Sequence, residues 1–249
     1  MKLIAAEVRE SFRFPVPELC IVAVSLVVIP WTAYTAGRAA ALPCTQSLTI
    51  IEEYARSITL RSYGQVAPIV ALLTTILSSL SLARDYERGK MHLIFTLIRS
   101  RGIYVLSKAL ANSVLPILSA VYSLGLAIAL STPRFPWLAY SATIVVLSLE
   151  SIFFALLSTL IATLAKRLVP SLVLSTLTTL LLSTLAGTLE LTGRVSVAEM
   201  LPPLSFRKLL AAFMQGKEVH IPASYNIVYM LITAIMLYYY SENKLEVSK

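Results

Sequence analysis

The sequence predicts an all-α, polytopic membrane protein, and three observations carry that prediction. Hydrophobic residues make up 57% of the 249 residues and charged ones 14%, against roughly 45–50% and about 25% in ordinary soluble domains. Six apolar runs are each long enough to cross about 30 Å of hydrocarbon at about 1.5 Å per residue. The runs lack apolar-polar alternation and the chain holds only 8 glycines, which argues for helices with internal backbone bonds rather than a barrel.

The elements follow in order. In residues 1–18, Ile4, Val8 and Phe12 recur at four-residue spacing with Lys2, Arg9 and Arg13 among them. This pattern suits a helix lying in the inner interface before a turn at Pro15 and Pro17; a frayed polar tail is the alternative. The length of this leader and its acids Glu7, Glu10 and Glu18 argue against a cleaved signal peptide. The membrane domain, 19–240, holds spans at 19–37, 66–83, 103–130, 137–165, 168–189 and 225–240, and 241–249 form a tail. No second soluble domain is expected.

An even number of spans puts both termini on one side. With that side cytoplasmic, its segments hold Lys2, Arg9, Arg13, Arg84, Arg88, Lys90, Arg99, Arg101, Lys108, Lys166, Arg167, Lys244 and Lys249, more than half of the 21 Lys and Arg residues. The bias predicts a multi-pass protein of the cell membrane with cytoplasmic termini. It also accounts for the net charge of +8, since cations at that face meet an anionic leaflet of membrane lipid, and no nucleic-acid partner is implied. Cys20 and Cys44 fall on opposite sides of the membrane in this topology and cannot pair within one chain.

The longest inner loop, 84–101, is the most specific segment. Asp85, Glu87 and Arg88 gather charge, Gly89 breaks or caps the descending helix, and Ser100-Arg101 opens the next one. Between them Met91, Leu93, Ile94, Leu97 and Ile98 are spaced for a short helix lying flat on the bundle end. The loop either receives a partner that cannot enter the bilayer or is a solvated connector whose charges only enforce topology.

The order Asp85, Glu87, Gly89, Ser100-Arg101 and then Lys108 resembles the permease subunits of type-2 ATP-binding cassette exporters, the ABC-2 family. The family usually has Pro where this chain has Ile98, and Thr-Leu-Glu where it has Lys90-Met91-His92. The interfacial N-terminal helix, six spans, cytoplasmic termini and long outer segment 190–224 extend the likeness over the whole chain. The resemblance implies a cytoplasmic coupling helix after the second span, docked in a groove of a separate ATPase, with Asp85, Glu87, Arg88, Gly89, Ser100 and Arg101 as coupling residues. It implies export along a pathway formed with a second, identical or homologous permease, driven by two ATPase subunits. No Gly-x-x-x-x-Gly-Lys-Ser/Thr loop is present, so this chain is expected to bind no cofactor of its own, with ATP and Mg on the partner ATPase. A non-transporting membrane anchor or scaffold that recruits a cytoplasmic partner is the alternative.

Other polar residues have two readings each. Glu150, near the middle of the fourth span, faces a wet pathway, pairs with a cation, or stays protonated and bonded to a neighbouring Ser or Thr. Asn112 and Pro116 in the third span suit packing and a kink, with Lys108 snorkelling to the inner surface. The Ser- and Thr-rich fifth span can form a dimer seam, a pathway wall or ordinary helix contacts.

After Pro202-Pro203, Phe206, Leu209, Leu210, Phe213 and Met214 recur at helical spacing. They predict an amphipathic helix too short to cross the membrane, lying on or dipping into the outer leaflet. The resemblance implies that Phe206, Leu210 and Phe213 belong to an outer gate. An intramembrane enzyme is disfavoured. Glu52-Glu53 and Arg56 are similar to the paired glutamates of prenyl-protein proteases, but the Arg is one residue too close. The only histidines, His92 and His220, lie on opposite sides of the membrane.

Overall fold

The computed structural model describes residue 9 and residues 15–39, 48–97, 100–132, 135–192, 199–215 and 220–243. Among them are eight α-helices and no strand: α1 Val16–Ala39, α2 Leu48–Glu87, α3 Lys90–Leu97, α4 Arg101–Ser131, α5 Trp137–Ala165, α6 Leu168–Leu191, α7 Pro202–Gln215 and α8 His220–Asn243. Ile4, Val8 and Phe12 of the expected interfacial helix, Cys44, and the tail beyond Asn243 lie outside the described residues.

Among the described residues five helices are long and apolar enough to cross a membrane: Val16–Tyr34, Glu53–Glu87, Arg101–Ser131, Trp137–Ala165 and Leu168–Leu189. The sixth expected span falls on α8, whose 24 residues equal α1 in length. Its tyrosines and Asn226 interrupt its apolar run. The helix α1 begins three residues before the expected span because Pro15 and Pro17 start the helix instead of breaking it. A proline in the first turn removes an N–H that has no helical partner anyway, and the Leu19 N–H already donates to the Pro15 carbonyl at 3.1 Å.

The largest departure from the sequence reading is α2. Residues 48–65, expected in an outer loop, continue the second span into one helix of 40 residues, about 60 Å at 1.5 Å per residue. Ala55, Ile58, Ser62, Val66 and Val70 are buried, and their spacing of three and four residues is a helical stripe. The charges Arg56 and Arg61 sit on the exposed side. This helix packs on α1, α4, α5, α6 and α7, so the bundle is arranged around it.

Hydroxyl pairs hold the neighbours of α2 in register. Thr74 meets Ser151 of α5 at 2.8 Å, Thr75 meets Thr179 of α6 at 3.0 Å, and Ser79 meets Ser175 of α6 at 2.5 Å. Near its far end Ser62 meets Thr32 of α1 at 3.2 Å. These oxygens have no water to turn to in an apolar interior, and a partner on the next helix removes the cost of burying them. The remaining exposed hydroxyls of α6, Thr178, Thr184 and Thr188, bond back to carbonyls of their own helix.

The helix α7 buries one face in the bundle and leaves Arg207, Lys208 and Phe213 exposed. Phe206 and Leu210 are buried in the main core, and the Phe206 ring lies 6.3 Å from that of Phe153 on α5. Its N-terminal half therefore reaches into the bundle.

The Tyr63 hydroxyl donates to Glu150 Oε2 at 2.6 Å, and both side chains are buried. Glu150 thus bonds a phenol on α2 rather than a Ser or Thr. Tyr63→Phe is expected to lower stability by about 1–3 kcal/mol by leaving the carboxyl group without its donor. Glu150→Gln, whose amide oxygen can accept the same bond, is expected to cost less. Melting midpoints of the purified variants in detergent check the order.

Candidate functional site

The motif residues gather where α2 ends. Arg88 N donates to Arg84 O and Gly89 N to Tyr86 O, each at 3.0 Å. Gly89 then turns the chain with φ of 68°, a left-handed conformation that glycine adopts without a Cβ penalty. The turn starts α3 immediately, so the expected loop is almost wholly helical. Only Arg88 and Gly89 separate α2 from α3, and the short link from α3 to α4 ends at Ser100.

The packing of α3 divides the apolar set predicted to lie flat. Met91 and Phe95 are buried against the bundle and Ile94 packs beside them. Leu93 and Leu97 point away, 68% and 77% exposed. Ile98 lies outside the described residues. Phe95, absent from the predicted set, is its anchor. Its ring meets Tyr104 edge-on at 6.4 Å, and the Arg101 guanidinium sits 5.5 Å from its centroid. Arg101 is therefore half-buried on an aromatic face rather than extended toward solvent.

Asp85 forms an ion pair with Lys108 of α4. Lys108 is only 3% exposed, with its ammonium 5.8 Å from the Tyr104 centroid. It therefore does not snorkel to the surface as the sequence suggested. A carboxylate within reach makes an interior position for this charge tolerable, and neither charge could stay buried alone. Asn112, one turn further along α4, is also buried. It follows Lys108 by four residues and shares its helix face, whereas Glu150 bonds Tyr63.

Two other carboxylates cap helices. Glu87 Oε1 accepts from the Leu168 N–H, the first of α6, at 2.7 Å. It fills the N-terminal position where an anion is favoured by open N–H groups and the helix dipole. Just before it, Lys166 closes α5 in a left-handed conformation with φ of 54°. At the start of α4, Ser100 is the N-cap and receives the Ile103 N–H. Glu242 Oε2 of α8 accepts from Gly102 N at 2.8 Å and from the Ser100 hydroxyl at 3.2 Å. Tyr238, one turn earlier on α8, lies so close to Gly102 that a Cβ there would meet its ring at 2.5 Å.

Most predicted coupling residues thus have work inside the chain. Asp85, Glu87 and Ser100 bond to other helices, Gly89 makes the turn, Arg101 stacks on Phe95, and the Arg88 side chain is exposed. Glu242, Gly102 and Tyr238 were missed because Glu242 was assigned to a tail. An acid at the end of the last span, on the same side as a Ser-Arg-Gly helix start, was the available signal.

What the arrangement presents outward is Leu93 and Leu97 on α3, with Arg84, Arg88, Lys90, Lys166 and Arg167 also exposed. The back of α3 is fixed to the core, and the segments beside it cap α6 and α4. A load on α3 would therefore be felt by α2, α4, α6 and α8 together. Phe213, expected near Phe206 and Leu210, is instead largely exposed and lines a separate cavity of about 310 Å³ with Arg56 and Val145.

Asp85→Asn is expected to destabilise the chain by about 3–5 kcal/mol by leaving the Lys108 charge buried without its carboxylate. Lys108→Met in the same chain should recover most of that loss, as read from melting midpoints in detergent. Glu87→Ala, which removes a cap, is expected to cost about 1 kcal/mol and to speed hydrogen exchange in the first turn of α6.

No family model and no curated protein matches the chain in sequence, so a role for this end of the bundle rests on its residues.

Proposed function

We propose that the chain is a transmembrane permease subunit of a type-2 ATP-binding cassette exporter. It would cross the membrane six times, with α8 as the sixth span and both termini cytoplasmic. It pairs with a second, identical or homologous permease and binds two ATPase subunits that carry the ATP and Mg. The observation that carries this reading is α3. Eight residues between two long helices are anchored on one side by Met91 and Phe95 and offer Leu93 and Leu97 on the other, beside basic residues. That is the form a rigid lever needs to enter an apolar groove with an acidic rim on another protein.

The force path follows from the bonds. Movement of α3 reaches α2 through the Gly89 turn, α4 through Arg101 on Phe95, and α6 through Glu87. The Glu242 cap carries the movement of α4 on to α8. Nucleotide that binds a closed pair of motors more tightly than an open one supplies the bias between conformations, and α3 passes it to the spans. The outward direction of transport comes from the family resemblance alone.

A scaffold reading draws on the internal bonds of Asp85, Glu87 and Ser100, which also suit a plain connector. The two are separated by purifying the tagged chain in lipid and identifying what accompanies it. The permease reading expects an ATP-binding cassette ATPase with the wild type, lost in Leu93→Asp/Leu97→Asp while the membrane chain is recovered in the same yield. Recovery without any ATPase, or an ATPase retained equally by the double variant, would favour the scaffold.

A further inference from the structure

At the end of the bundle opposite α3, a cavity of about 410 Å³ opens between α1, α2 and α7, lined by Trp31, Tyr34, Leu60, Arg61, Gln65 and Arg207 together with Gly64. We propose that this cavity is a binding site for an anionic phosphate group. Among the described residues its lining supplies two guanidinium groups and no carboxylate. Planar guanidinium forks match phosphate oxygens bidentately and hold their charge at any physiological pH. Gln65 adds an amide donor. These cations come from different elements, Arg61 from α2 and Arg207 from α7, so the fold brings them to one space.

The walls say where the phosphate is presented. The Trp31 and Tyr34 rings, 6.0 Å apart, are both partly exposed near the end of α1. Trp and Tyr favour the boundary between hydrocarbon and headgroups, which puts the cavity at headgroup level, with Leu60 and Trp31 as an apolar side for the first carbons of an attached chain. Gly64 leaves the floor open, since a Cβ there would meet nothing within 4 Å.

The site adjoins the buried interior. Gly64 and Gln65 directly follow Tyr63, the donor to Glu150. The site does not depend on coupling to an ATPase.

Trp31 provides a local readout. In a Trp137→Phe background it is the only tryptophan, because the chain has 2. The full chain in micelles of an uncharged detergent is titrated with short-chain phosphatidylglycerol, an uncharged short-chain diacylglycerol and inorganic phosphate. We expect a saturable change in Trp31 emission with phosphatidylglycerol. Arg61→Gln and Arg207→Gln should each weaken it about tenfold or more, as losing a charge-assisted hydrogen bond implies. Gly64→Phe, which fills the floor and leaves both charges, should abolish it. Saturation by inorganic phosphate as well would assign the site to the free ion, and by phosphatidylglycerol alone to the headgroup of an amphiphile. An equal response to diacylglycerol, or unchanged affinity in both arginine variants, would overturn the proposal.

Discussion

A polar group in an apolar interior is costly unless it bonds to the protein itself, and on α2 this constraint shapes how the bundle is put together. Thr74, Thr75 and Ser79 project from one helix toward α5 and α6, and each finds a hydroxyl on its neighbour. Apolar packing alone would leave helices free to slide or rotate past one another, because lipid and leucine are equally good surroundings for leucine. The hydroxyl pairs remove that freedom. Tyr63 and Glu150 apply the same rule to a phenol and a carboxyl group.

Once α2 is placed, the end that carries α3 follows. The helix is long enough to bring Asp85 to Lys108 and Glu87 to the first turn of α6, and the Gly89 turn then lays α3 across the bundle end. Charge there has two destinations. Asp85 and Glu87 make contacts between helices, Glu87 while still exposed, and Arg84, Arg88, Lys90, Lys166 and Arg167 are exposed beside it. The face left over is basic and carries two leucines, although the sequence of the segment is mixed in charge.

The helical class and the positions of the long spans were legible because burial in hydrocarbon leaves runs of apolar residues that need no partner to be recognised. The extension of α2 was not, although the stripe of Ala55, Ile58, Ser62 and Val66 is present. Glu53, Arg56 and Arg61 interrupt the apolar pattern there, and a helix that is exposed on one side tolerates them. The acceptor of Tyr63 was hidden by an 87-residue separation, and with Tyr63 assigned to a loop nothing pointed to it. The turn at Gly89 and the cap at Ser100 were visible as local signals. Their long-range counterparts, Lys108 for Asp85 and Glu242 for Gly102, depend on which helices become neighbours.

The cap on α4 also bears on how the protein is made. Glu242 follows Gly102 by 140 residues, so a ribosome working at about 5–20 residues per second completes α4 on the order of ten seconds before its cap exists. During that interval the first turn of α4 has Ser100 but not the carboxylate, and Gly102 has no Tyr238 ring against it. The helix α8 is thus synthesised after the helix whose start it caps, and until then the end of the bundle where α3 lies lacks both contacts.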